Sequence, residues 1–178
     1  AGSQKIIPTQ LEFVDIAGLV RGAASGEGLG NQFLAHIREV DAVIHVLRCF
    51  EDGDITHVEG SVDPIRDAET VETELMLADL DSLEKRLNNT EKKAKSGDKE
   101  SQEILTVMMP ALAALREGKP ARTLLPTFDA EKKKILAKLC LVTAKPVLYV
   151  ANVAEADAAN GNAMSEKVQA KAKAEGTE

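Results

Sequence analysis

The residues with the clearest chemical potential lie near the amino end. Leu11-Glu12-Phe13-Val14-Asp15 alternates apolar and polar side chains and closes on an acid, and Ile16-Ala17-Gly18 completes a D-x-x-G pattern. An aspartate at the end of a strand can bear on a magnesium ion through water. A glycine three residues on has no side chain and can bring its backbone N–H to a γ-phosphate. Gly18, Gly22, Gly26, Gly28 and Gly30 fall within thirteen residues, so the following loop is free to reorganise when such a phosphate leaves. A strand that merely ends in Asp before a tight turn would leave the same short pattern. Gly26-Glu27-Gly28-Leu29-Gly30 does not fit G-x-G-x-x-G, which rejects a dinucleotide fingerprint.

A second polar group, Asn152-Val153-Ala154-Glu155, follows the apolar run Pro146 to Ala151. In GTPases this place holds N-K-x-D, whose aspartate accepts hydrogen bonds from guanine's N1–H and exocyclic amine. Val153 stands for the lysine and Glu155 for the aspartate. Adenine offers neither of those donors, only an N6 amine and an N1 acceptor. The exchange weakens the argument for guanine without proving adenine, and taken alone the segment also reads as a polar loop after a strand.

Positioning these groups requires an α/β frame. The run 11–15 predicts a strand, and Lys5-Ile6-Ile7 predicts another that Pro8 confines to an edge or bend. Phe33, Ile37 and Val40 recur at helical spacing, and the apolar, β-branched run Ala42 to Leu47 suits a buried strand of a parallel sheet. From about Asp67 the character changes. Val71, Leu75, Leu80, Leu83 and Leu87 mark one amphipathic helix, acidic at its start and basic at its end (Lys92, Lys93, Lys95), and Ser96-Gly97-Asp98 breaks it. A second helix carries Ile104, Leu105, Met108, Leu112 and Leu115 and stops at Gly118, making a helical hairpin. Asp129 is placed to cap a third helix with Ile135, Leu136 and Leu139. From Met164 onward the chain is rich in Ala, Lys and Glu, which predicts a weakly anchored surface helix. The expected organisation is 4–66 and 140–178 as two parts of one α/β nucleotide domain, with 67–139 inserted between them.

Composition narrows the classes. A chain of 178 residues, 44% hydrophobic, can bury one core, but with 3% aromatics that core must be built from Leu, Val, Ile, Ala and Met. The net charge of -7 argues against gross attraction to nucleic acid or an anionic membrane. No apolar run nears the roughly 20 residues of a membrane span, and no signal-peptide pattern opens the chain. Cys49 and Cys140, far apart in apolar segments, are expected as buried free thiols. His45, in an apolar strand, is expected to be a core residue, and His36 a surface or packing one. Lys92-Lys93-Lys95 and Lys132-Lys133-Lys134 read as solvated helix faces, or as contacts to an acidic partner.

Together the motifs carry a resemblance. Gln4 to Ala42 (Q-K-I-I-P-T-Q-L-E-F-V-D-I-A-G-L-V-R-G-A-A-S-G-E-G-L-G-N-Q-F-L-A-H-I-R-E-V-D-A) resembles the switch II segment of the YchF-type, Obg-like ATPases. So do His45 to Pro64 (H-V-L-R-C-F-E-D-G-D-I-T-H-V-E-G-S-V-D-P) and Tyr149 to Glu155 (Y-V-A-N-V-A-E). The resemblance implies a Ras-like P-loop NTPase fold with an inserted helical hairpin (a coiled coil). It also implies ATP and ADP as ligands with Mg2+, and a cytoplasmic protein that associates with ribosomes and with neither membrane nor specific DNA. It gives Asp15 and Gly18 the magnesium and γ-phosphate roles, and Asn152, Val153 and Glu155 the reading of the base. Where Ras-like enzymes hold a water-orienting glutamine this chain has Leu19, whose alkyl side chain cannot do that work. His57 matches the family histidine proposed for that role, and imidazole can orient or deprotonate water near neutral pH. A solvated loop histidine is the plainer reading.

One departure matters. G-x-x-x-x-G-K-[ST] occurs nowhere in these 178 residues, and its amides, lysine and hydroxyl are what anchor the phosphates and magnesium. The resemblance also implies a carboxyl-terminal TGS domain, which is not expected within these residues. The chain is therefore expected to be a fragment, or a degenerate form, with little or no hydrolysis of its own. The alternatives are a non-enzymatic module that docks through its hairpin, and a GTPase, which N-V-A-E opposes.

Overall fold

The computed structural model describes residues 10–14, 37–53 and 61–177. Strand β1 (Val43–Arg48) leads through a loop to the long helix α1 (Pro64–Lys95), which turns into α2 (Lys99–Arg116). A 3-10 stretch (Ala121–Thr127), the short helix α3 (Ala130–Lys138) and a 3-10 turn (Val142–Ala144) return the chain to β2 (Val147–Asn152). A last 3-10 turn (Glu155–Asp157) precedes helix α4 (Ala163–Glu175).

Local chemistry sets most of these boundaries. Asp63 accepts hydrogen bonds from the N–H groups of Ile65 and Arg66 at the start of α1, with Pro64 supplying a first turn that needs no donor. Those bonds, the one from Arg66 first, hold the Asp63 carboxyl below its usual range. Asp98 caps α2 through Ser101 N–H at 3.0 Å, and Asp129 caps α3 through Lys132 N–H at 2.8 Å. Gly118, with φ of 70°, makes the left-handed step after α2. α1 runs about 48 Å at 1.5 Å per residue, and α2 packs back along it.

Two apolar clusters form. The larger holds Leu83 of α1, Val107, Met108 and Leu112 of α2 and Leu136 of α3, all essentially solvent-free. The smaller lies under the sheet, where Leu47, Cys49, Ala68 and Val168 are buried and Tyr149 and Val153 pack against them.

Beside the larger cluster one acid is buried. Asp79 lies at i+4 from Leu75 and i−4 from Leu83, on the apolar stripe of α1, and has no solvent exposure. Its carboxylate accepts from Val142 N–H (3.0 Å), Thr143 N–H (2.8 Å) and the Thr143 hydroxyl (2.7 Å). The Thr143 hydroxyl oxygen in turn accepts from Ala121 N–H at 3.2 Å. One side chain thus joins α1, the segment leading into β2 and the stretch after α2.

β1 and β2 pair in parallel, from Val43 against Val147 to Arg48 against Asn152, as expected for strands joined by a long crossover. Four expectations need correction. Residues 11–14 form no strand: Leu11, Phe13 and Val14 are exposed, because alternation selects a face but a strand needs a hydrogen-bonded neighbour, and 11–14 have none among the described residues. β1 is not buried on both faces, since among the described residues helices cover one side only. Ile44 (43% exposed), Val46 (59%), Leu148 (41%) and Val150 (38%) stand in register on the other. Cys140 is exposed rather than buried, because its left-handed backbone (φ 55°) just after α3 turns the thiol outward. Both cysteines are free. The tail helix is anchored: Asn162 and Ser165 close a reciprocal cap at its start, and Val168 and Ala172 are buried.

Candidate functional site: the carboxyl ends of the strands

In open α/β sheets ligands gather outside the carboxyl ends of the strands. Here those ends are Arg48 and Asn152, directly paired, and Cys49 N–H donates to the Asn152 carbonyl at 2.7 Å. The loop after β1 and the loop after β2 therefore leave the sheet side by side. Asn152 closes β2 with an exposed side chain, Val153 turns back into the small core, and Glu155 is exposed at the start of the 3-10 turn 155–157. The three residues expected to read a base share this rim. Asp15, Gly18, Leu19 and His57 lie outside the described residues.

An open cavity of about 320 Å³ lies beside the rim, lined by Cys49, Phe50, Ala154, Asp157, Asn162 and Met164 among others. Phe50 is steadied by Arg48, whose guanidinium carbon sits 4.8 Å from the ring centre while its Nε donates to the Phe50 carbonyl at 3.1 Å. Asn162 closes the floor. Its amide donates to the Cys49 carbonyl (2.8 Å) and to Asp157 (2.9 Å), while its oxygen accepts from Met164 and Ser165 N–H at the start of α4. One side chain thus ties both loops to the helix, and the sequence analysis passed over it. The signal was Asn162 three residues before Ser165, a cap pattern opening a helix. Burial pushes the Cys49 thiol up, which keeps it protonated and unreactive.

Among the described residues no group of three His, Cys, Asp or Glu is placed to hold a metal. None of their helices is long and apolar enough to cross a membrane.

His45 is half-buried on β1 with its ring 5.8 Å from that of Tyr149. Burial first, then the charge of Lys171, holds its pKa below 6.5, against the opposing pull of Asp67 and Glu175. Below pH 6.5 the unfolded chain therefore takes up this proton before the folded one does, so stability falls as pH drops through that window. Urea unfolding at a series of pH values should show this acid-side loss, and His45→Gln should flatten it.

Residues 3–108 match the family described as "50S ribosome-binding GTPase". The chain is 47% identical over 98% of its length to the Ribosome-binding ATPase YchF of Bacillus subtilis, covering 48% of that protein. It is 47% identical over 98% of its length to the protein of the same name from Escherichia coli O157:H7, covering 47% of it. The solved structure of the Schizosaccharomyces pombe YchF GTPase superposes with a TM-score of 0.67 at 33% identity, over 87% of this chain and 42% of that one. The chain spans about half the length of the curated relatives it matches. Its fold is a partial Obg-like P-loop NTPase domain with a helical hairpin inserted between β1 and β2. With the switch pattern at its start and the N-x-x-E loop at the strand ends, this chain belongs to the 50S ribosome-binding GTPase family, in its YchF-type branch.

Proposed function

We propose that this chain is the switch and base-reading portion of an ATP-hydrolysing protein that associates with ribosomes in the cytoplasm. The observation that carries the reading is Glu155 in place of the guanine-reading aspartate, on a loop at the paired carboxyl ends of β1 and β2. Relatives carry both ATPase and GTPase in their names, so the base must be argued from chemistry. A shorter aspartate, steadied by a lysine, is what pairs with guanine's two donors. Val153 removes the lysine and supplies an apolar surface, and Glu155 reaches one methylene further. That combination leaves an acceptor for a single exocyclic amine, such as adenine's N6, and no longer matches guanine's paired donors.

Asp15 and Gly18 complete the reading as the groups that bear on magnesium and the γ-phosphate. Magnesium would neutralise phosphate charge. His57 is the residue proposed to orient the attacking water, since Leu19 cannot. Without G-x-x-x-x-G-K-[ST] these groups have no anchored triphosphate to act on. The isolated chain is expected to turn over little or no ATP in a single-turnover assay, and clear hydrolysis would overturn that expectation.

The base reading is tested on the longer parent protein carrying this segment. ATP should displace a fluorescent ATP analogue at a concentration about 10-fold or more below that of GTP, the scale of one or two well-placed polar contacts. Glu155→Ala should narrow that gap. GTP competing as well as ATP would sink the adenine assignment and favour a GTPase. Equal ribosome binding with and without nucleotide would instead favour a docking module built on the hairpin.

A further inference from the structure

A cluster of charges lies at the joint between the helical arm and the strand–helix unit that carries the base loop. Arg122, in the 3-10 stretch after α2, donates to Glu72 of α1 and, at 3.1 Å, to Glu175 at the end of α4. Lys171, one turn earlier on α4, pairs with Glu175 at 2.5 Å and approaches Glu72 at 3.9 Å. The Tyr149 hydroxyl of β2 donates to Glu175 at 3.0 Å. The two cations are poorly exposed, Arg122 at 11% and Lys171 at 14%. Two positive and two negative charges therefore meet at a largely buried joint. Burial alone would raise the Glu175 pKa, but Lys171, Tyr149 and Arg122 outweigh it and hold the carboxyl below its usual range. Burial also opposes the Arg122 charge, yet Glu72 and Glu175 hold it above its usual value.

The position of this cluster matters more than its strength, since a buried ion pair is weak evidence for stability and a better candidate for fixing geometry. The apolar cluster under the sheet draws only Ile65 and Ala68 from α1, both before Glu72. From Met76 onward α1 belongs to the arm's own core. Glu72 thus falls on α1 between the residues that join the sheet-side cluster and those that join the arm's core. Asp79 pins α1 to Val142 and Thr143 a little further along and supplies a pivot. The charged cluster lies to one side of that pivot, where it can stop rotation.

We propose that Glu72, Arg122, Lys171 and Glu175 form an ionic clamp that fixes the inclination of the helical arm against β2 and α4, and that releasing it lets the arm swing while both parts stay folded. The lever is long: from the pivot at Asp79 to the hairpin turn α1 rises about 27 Å at 1.5 Å per residue, so a rotation of about 10° moves the tip by about 5 Å. Tyr149 stands three residues before Asn152 on the same strand, so the clamp mechanically joins the arm to the rim of the candidate site. The proposal does not depend on which base, if any, that rim reads.

Spin labels at Lys99→Cys on the arm and Ala170→Cys on α4, in the full chain with Cys140→Ser, report the inclination by pulsed electron resonance. The parent sequence should give one narrow distance distribution. Arg122→Ala should broaden or shift it by several ångströms with the helical circular dichroism kept, and Arg122→Lys should recover much of the narrow form. A narrow, unshifted distribution in Arg122→Ala would overturn the clamp. If that variant loses its helical signal, Glu72→Gln decides, because it keeps shape and a hydrogen-bond acceptor while removing charge. A broadened distribution there supports the clamp and an unchanged one overturns it. A contact that only adds stability would lower the melting temperature and leave the distance where it was.

Discussion

Asp79→Ala is expected to lower the unfolding free energy by about 3 kcal/mol, from the loss of a buried, hydrogen-bonded acid and the stranding of its donors. The alanine leaves the Val142 and Thr143 N–H groups and the Thr143 hydroxyl without their acceptor in a site closed to water. Asp79→Asn separates charge from hydrogen bonding. The asparagine oxygen can keep the two Thr143 donors, but its amide then faces the Val142 N–H, donor against donor. The loss should be smaller than for alanine and clearly above zero; an asparagine variant as stable as the parent would show that this carboxylate is not needed. Burial pushes the Asp79 pKa above 3.8, against the pull of its three hydrogen bonds and of Arg38. Between 3.8 and that raised value the folded chain holds a proton that the unfolded chain has lost, so this residue's contribution falls as pH rises through the window. Asp79→Asn should remove that slope, which urea unfolding between pH 3 and 7 would read.

Leu112→Ala is the second large effect, expected at about 2–5 kcal/mol because a buried leucine loses both its transfer energy and its packing partners around the resulting cavity. Leu112 is 1% exposed and shares the arm's core with Leu83, Met108 and Leu136. Those neighbours sit on three helices held at both ends by caps and turns, which limits how far they can close over the gap. Leu77→Ala is the control. It lies on α1 but is 49% exposed, and its loss should stay within about 0.5 kcal/mol, the usual range for surface changes. Similar losses for the two variants would contradict the packing described here. Leu83→Ala with Leu112→Ala should not sum simply, since both open the same core. Urea midpoints with unchanged slopes would assign the effects to the folded state.

What could be read directly was what depends on near neighbours. The hairpin, its turn at Ser96-Gly97-Asp98 and the cap at Asp129 follow from spacing and side-chain reach over three or four residues, and each is present. The strands were visible as the apolar runs 42–47 and 146–151, each one residue short of the observed 43–48 and 147–152 at the carboxyl end. The placement of Asn152 to Glu155 at a strand's carboxyl end followed with them. Asp79 left a trace as well: an acid at i+4 from Leu75 on an apolar stripe has to find donors somewhere.

The donors themselves lay 63 and 64 residues away, and no local pattern could name them. The same holds for Arg122, whose partners Glu72 and Glu175 sit 50 and 53 residues off on either side. Residues 11–14 alternate like a strand but lack a neighbour among the described residues, and Cys140 sits in an apolar stretch yet turns outward on a left-handed residue. The tail read as weakly held because its composition is polar, whereas Asn162, Val168, Ala172 and Glu175 tie it to both loops and the arm. Sequence alone determined the family resemblance, the helices of the hairpin and the two paired strands, because caps, periodicity and motif letters act over a few residues. Tertiary structure alone decided which buried charges meet, which sheet face is covered and what holds the arm, because those depend on groups that approach only once the chain has folded.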